Sequence, residues 1–312
     1  MTGDARQNPV ETPELQARNG LIAGLLAYLL WGLLPIYFKY IESVPALEVL
    51  AHRVVWAIPF GALIIVARRQ WREVLRALSN RRTFFFLVLS ASMIAVNWFL
   101  YIVAVQQAQV FQASLGYYVN TLMNVVVGVA FLGERLRRPR LAAVLLAAVG
   151  VTVLAASASD FPWIAMALAV SFTIYGVIRK QVAVGGMPGL FIETLVLVPL
   201  AAIYLGWIVA GQTAVFGAVG RGMDFALILA GPFTVVPLLL FALAARRLQL
   251  TTIGIMQFMA PTLQFLVGLY YGEQLTTAHV ICFSCIWVAI SVFVWDAWRE
   301  SRRIQALRAA AG

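Results

Sequence analysis

The chain has 312 residues, of which 62% are hydrophobic and 12% charged, and a mean hydropathy of +0.88. Soluble domains carry about a quarter charged residues, so this composition excludes a soluble globular protein and requires lipid as solvent. The formal charge of +10 is spread over the ends of apolar runs rather than gathered on one face, which assigns it to membrane orientation and not to nucleic acid.

Residues 1–20 are polar, contain Pro9 and Pro13 and lack the basic start, apolar core and cleavage site of a signal peptide. They predict a disordered cytoplasmic tail. A helix needs about 20 mostly apolar residues to cross the hydrocarbon core. Ten such runs follow, predicting spans near 21–39, 46–67, 83–105, 110–132, 139–157, 161–179, 188–210, 224–244, 250–271 and 277–297. The fold expected is an all-α membrane protein with short loops and a basic cytoplasmic tail at 299–312. Between spans two and three, residues 68–82 set Trp71, Val74, Leu75 and Leu78 among arginines, the pattern of a helix lying on anionic lipid.

The cations sort by loop. Of 23 lysines and arginines, 20 lie in the tails and in the loops after spans two, four, six and eight. The alternate loops hold Lys39 and Arg221, and Arg53 lies within a span. By the positive-inside rule both termini are cytoplasmic.

Two hinges reveal a repeat. Gly133-Glu134-Arg135-Leu136 follows span four, and Gly272-Glu273-Gln274-Leu275 follows span nine with the arginine gone. Near the same offset of about 140 residues, Asn97 to Tyr101 falls on Pro237 to Phe241, so spans three to five echo spans eight to ten. A five-span unit is odd, so its copy enters the membrane inverted: a first repeat at 21–158 and a second at 159–298. Inverted repeats mark secondary transporters, which bind substrate between the halves near the midplane and work by alternating access. A channel is the nearest alternative. A non-transporting sensor or partner protein is the alternative from another class, with 68–82 as its docking surface. Neither a nucleophile with its base nor a metal cluster is visible, so no catalytic, cofactor or metal residue is expected.

Charged groups inside spans are costly and face the protein interior or water. Arg53 and Glu193 stand 140 apart, each six residues before a proline, Pro59 and Pro199. They are expected to meet as a gate or coupling pair; the alternatives are a buried structural ion pair, or Arg53 snorkelling to the surface. Glu193 is the candidate for proton coupling. His52 lies four residues from Glu48, in reach of it along a helix. Asn120 and Asn124 share one face of span four, and Asn97 and Gln257 extend this polar inventory, as path lining or as interhelical hydrogen bonds. Trp31, Tyr101 and Tyr175 are candidate path walls, with Tyr37, Trp98, Tyr117 and Tyr118. Gly268 and Gly272 form a GxxxG face, for internal packing or a homodimer. Cys282 and Cys285 form no metal set and are expected to be core hydrophobes.

Several segments carry a resemblance in the same order along residues 20–300: Trp31-Gly32-Leu33-Leu34-Pro35, Glu48-Val49-Leu50-Ala51-His52-Arg53, Ala113-Ser114-Leu115-Gly116-Tyr117, Phe131-Leu132-Gly133-Glu134, Ile192-Glu193-Thr194 and Tyr271-Gly272-Glu273. This pattern resembles the RarD proteins of the EamA group, in the bacterial drug/metabolite transporter superfamily. The resemblance implies ten helices in two EamA repeats, the bacterial inner membrane, and export or exchange of small metabolites or drugs. It supplies no residue roles. The chain departs from the family at Thr121, where a proline usually follows the asparagine, while the second repeat keeps Pro261. A straighter fourth span follows from that departure.

Overall fold

The computed structural model describes residues 13–132, 138–157, 161–248, 252–253 and 256–311. Every regular element in them is a helix: α1 (Pro13–Tyr40), α2 (Ala46–Ala67), α3 (Trp71–Ser79), α4 (Arg81–Gln106), α5 (Val110–Leu132), α6 (Arg138–Ser157), α7 (Trp163–Gln181), α8 (Gly186–Ala210), α9 (Arg221–Ala245), α10 (Met259–Tyr270) and α11 (Thr277–Ala311). Seven are long and apolar enough to cross a membrane: α1, α2, α4, α7, α8, α9 and the Thr277–Asp296 part of α11. Leu141–Ser157 of α6 and all of α10 are shorter apolar helices. The hinge residues Gly133 and Glu134 lie outside the described residues, as does the side chain of Asn124.

Helix ends follow sequence chemistry. α2 and α5 start and stop where the apolar runs do. α1 begins at Pro13, well before its apolar run, because proline suits a first turn and Leu15, Gln16, Ala17 and Arg18 are good helix formers. Residues 13–20, expected to be disordered, are therefore helical. α11 likewise continues past its apolar part to Ala311, through the segment expected as a tail. α10 is shorter than its predicted span, at 12 residues or about 18 Å. Pro261 has no N–H to give the Gln257 carbonyl, and Gln257 and Phe258 form a turn instead of helix.

The helices pack in a regular scheme. α1 lies on α9 and α10, α7 lies on α4 and α5, and the pairs α2–α8, α5–α10 and α6–α11 cross between the halves. Small residues permit the crossings. A Cβ on Gly150 would stand 2.8 Å from Cys285 Cβ, and one on Gly268 would stand 2.8 Å from the Phe111 ring. Gly268 thus serves internal packing, while Gly272 takes φ +80 in the turn after α10, a conformation glycine adopts without strain. Cys282 is buried and both cysteines are free, as core packing predicts.

At one end of the bundle Gly20 of α1 abuts Arg247, and Arg68 sits near Arg246 and Arg247. Partial burial and then these two like charges pull the Arg68 pKa down. At the same end α3 buries Val74 and Ala77 and leaves Trp71 and Leu75 about half exposed. Its Glu73 Oε1 accepts the Gly185 N–H at 2.6 Å, clipping α3 to the loop before α8.

Candidate functional site

α2 and α8 run antiparallel through the middle of the bundle. Gly61 lies against Phe191, and Ala51 and Val54 share a cluster with Ala201. Counting up one helix and down the other sets Arg53 level with Pro199 and Glu193 level with Pro59. The two ions therefore sit six residues apart in height, about 9 Å. They do not pair, contrary to the expectation from sequence. Equal depth along two antiparallel helices does not mean equal height in the bundle.

Glu193 has a different cation. Arg179, in the last turn of α7, brings Nε to 3.5 Å from Glu193 Oε1. Glu193 Oε1 also accepts from Ser90 Oγ of α4 at 2.6 Å, and Oε2 from the Tyr175 hydroxyl at 3.3 Å. Tyr175 stacks on Phe172 with ring centroids 5.6 Å apart. Arg179 Nη2 further donates to the Gly185 carbonyl at 3.2 Å. Gly189, one turn before Glu193, leaves the room for this guanidinium, since a Cβ there would collide with it. Sequence reading counted Arg179 as a loop charge. The glycine four residues before an intramembrane acid was the signal available.

Arg53 sits in a contrasting setting. It is 6% exposed, its Nε donates to Thr234 Oγ1 of α9 at 2.7 Å, and its guanidinium lies 4.2 Å over the Trp98 ring and 5.9 Å from Phe38. Among the described residues it makes no ion pair and no other hydrogen bond. The hydroxyls of Tyr37, Tyr101 and Tyr117 are within electrostatic reach. Tyr37 donates to the Ala226 carbonyl at 3.0 Å and Tyr117 to Asn97 Oδ1 at 3.4 Å, whereas the buried Tyr101 hydroxyl has no partner among the described residues. Asn97 belongs to the edge of this cluster and ties α4 to α7 through the Leu168 carbonyl at 3.0 Å and Ser171 Oγ at 3.1 Å. Thr234 was missed because a lone threonine in an apolar run carries no signal until its neighbour is known.

The remaining candidates are dispersed. Asn120 Oδ1 accepts from Thr173 Oγ1 at 2.9 Å, holding α5 to α7. Gln257 Nε2 donates at 2.9 Å to Thr121 Oγ1. That hydroxyl donates back to the Tyr117 carbonyl at 3.1 Å, and α5 runs unbroken through it. Trp31 packs on Tyr28 and Phe241, and its carbonyl accepts from Gln264 at 3.2 Å. His52 Nε2 is 3.9 Å from Glu48 Oε1, too long for a hydrogen bond, and its Nδ1 accepts from Trp56 at 3.3 Å.

Glu48 and Glu273 hold backbone. Glu48 Oε1 accepts the N–H groups of Val215 and Phe216 at 2.8 and 3.2 Å, and Glu273 accepts those of Val110 and Phe111 at the start of α5. Burial moves the Glu273 carboxyl pKa up, against the lowering effect of the two N–H groups and of Lys39. Among the described residues no group of His, Cys, Asp or Glu is arranged to hold a metal ion.

The EamA-like transporter family model matches residues 18–156. Protein RarD of Salmonella typhimurium is 43% identical over 289 residues, covering 92% of this chain and 98% of its own length. The chain belongs to the RarD group of the EamA-like transporter family. That membership makes it a multi-pass membrane transporter of the drug/metabolite superfamily. Protein RarD of Streptomyces exfoliatus is 42% identical, covering 96% of this chain and 95% of its own. An uncharacterized transporter of Vibrio cholerae is 40% identical, with coverages of 95% and 99%. A crystal structure of another protein shares the fold at a TM-score of 0.61 and 21% identity, covering 90% of this chain and 98% of that one.

Proposed function

We propose that this RarD-group chain is a secondary transporter that exports or exchanges small metabolites or drugs across the bacterial inner membrane by alternating access. It spans the membrane ten times as two inverted five-helix repeats, with α3 on the lipid surface and both termini in the cytoplasm. The packing scheme carries this reading. α1 with α9 and α10 is matched by α7 with α4 and α5, as an exchange of repeats requires. The close approaches across the three pairs, Gly61 with Phe191, Phe111 with Gly268, Tyr118 with Thr262, and Gly150 with Cys282 and Cys285, join residues 130 to 157 positions apart. These separations bracket the offset of about 140 read from sequence, which supports an inverted pair of repeats about one two-fold axis.

Arg179 and Glu193 serve as the gate at the arginine-rich end, with Ser90 and Tyr175 completing it. Proton coupling through Glu193 is the finer part of the reading, since protonation would release Arg179. A centre holding Arg53, Asn97, Thr234 and three tyrosines favours a substrate path over the sealed apolar core of a sensor or partner protein.

The test compares the metabolites accumulated by vesicles with and without the protein, with and without an imposed pH gradient. Selective accumulation of a small molecule, accelerated by the gradient and made insensitive to it by Glu193→Gln, is the expected result. Identical metabolite profiles would sink transport. Gradient-insensitive flux, unchanged in Glu193→Gln, would sink the coupling alone.

A further inference from the structure

We propose that Arg53 and Tyr101 form the subsite for the carboxylate of a small organic monoanion with an apolar body. The proposal rests on the transport reading and names the class of its substrate.

A guanidinium offers five N–H donors, and Arg53 uses one, at Thr234. The donors on its two terminal nitrogens make no hydrogen bond among the described residues. An uncompensated buried cation is costly, and proteins ordinarily answer it with a carboxylate, as Arg179 and Glu193 answer each other. Here the answering acid is missing from the surrounding side chains. What surrounds Arg53 is neutral: Thr234, the face of Trp98, and the hydroxyls of Tyr37, Tyr101 and Tyr117.

A second group in the same cluster has an unspent donor. The Tyr101 hydroxyl is buried with no partner among the described residues, although its ring packs on Phe38 and Tyr117 at 5.8 and 5.7 Å. Tyr37 and Tyr117 already donate elsewhere, so Tyr101 is the hydroxyl left to give. An arginine fork and one hydroxyl suit the two oxygens of a carboxylate. Charge selects the valence, because one cation among neutral groups is balanced by one negative charge, and a dianionic phosphate would leave an excess. The walls select the rest of the molecule: Trp98, Phe38 and the tyrosine rings offer apolar faces, so the carboxylate is carried on an apolar or aromatic body.

The test uses the full chain in lipid nanodiscs, read by thermal unfolding and by intrinsic fluorescence, to which Trp98 contributes from beside the guanidinium. Acetate, benzoate and phenylacetate are titrated against acetamide, benzamide and phenylacetamide, with inorganic phosphate alongside. The carboxylates are expected to raise the unfolding temperature and shift the fluorescence, benzoate and phenylacetate at lower concentration than acetate, and the amides and phosphate to do neither. Tyr101→Phe keeps the ring packing and should weaken carboxylate binding about tenfold, the scale of one hydrogen bond to a charged group. Arg53→Gln should abolish the discrimination between acid and amide. If Arg53→Gln fails to fold, Tyr101→Phe decides.

Equal binding of acid and amide, no shift with any carboxylate, a preference for phosphate, or wild-type affinity in Tyr101→Phe would each overturn the proposal. Carboxylate binding without flux in vesicles would overturn transport and leave the subsite standing. Flux with no preference for acid over amide would overturn the subsite and leave transport.

Discussion

Arg53 and Glu193 lie equally far into α2 and α8, and the bundle treats them oppositely. Glu193 is enclosed by a cation and two hydroxyls from two other helices, α4 and α7, so both oxygens are engaged. Arg53 keeps one hydrogen bond and an aromatic face. Two ions placed equally deep in their helices differ in what they leave unspent. Glu193 is closed off by its neighbours, and Arg53 keeps the donors on which the proposed carboxylate subsite rests.

That contrast can be broken most severely at Arg179. Arg179→Ala leaves Glu193 buried without its cation and is expected to lower stability by about 3 kcal/mol in detergent unfolding, most of it recovered by adding Glu193→Gln. The same measurement on ligand-free Arg53→Gln should show a loss below about 1 kcal/mol, because relief of a buried charge offsets one lost hydrogen bond. Equal losses at the two positions would erase the distinction.

Glu273 sharpens the contrast by asking whether acids here act as clips in general. Glu273→Ala unpairs two N–H groups at the start of α5 and should cost about 2 kcal/mol. Its folded pKa lies above the ordinary 4.5, so its titration contributes stability that is complete below about pH 4.5 and fades as the pH rises through the folded value. Unfolding followed across that window should show the slope in wild type and its absence in Glu273→Ala. A slope that persists in the variant assigns it to another group.

The smallest effect concerns Thr121, which accepts from Gln257 at the turn before α10. Thr121→Val should cost about 0.6 kcal/mol, the usual worth of a hydrogen bond between membrane helices. A loss several times larger would mean that the α10 turn depends on this contact.

The helices were legible in the sequence because lipid demands long apolar runs, and their ends at Ala46, Ala67 and Val110 were marked by polar loops. The ends of α1, α10 and α11 were less so. Charged helical residues continue beyond the lipid at α1 and α11, and Pro261 acts four residues upstream of itself. At the site, sequence singled out Arg53 and Glu193 but joined them wrongly. A sequence offset fixes which residues are equivalent, and the height at which each sits depends on where α2 and α8 cross. Partners such as Arg179, Ser90 and Thr234 come from other helices, and no local pattern announces them. Asn97 and Asn120 were read as either path lining or interhelical contacts, and their hydrogen bonds to α7 are of the second kind.

The inward turn of the acids has an outcome at the membrane surface. Glu73 is the carboxylate placed among the arginines of residues 68–82, and it is occupied by the Gly185 N–H. Among the described residues no ion pair joins the arginines of 68–82 to a carboxylate. A surface so charged would draw the headgroups of anionic lipid as counterions. In a membrane of zwitterionic lipid alone that end would carry a standing positive potential, and its grip on α3 and on the loop before α8 should loosen as the anionic lipid fraction falls.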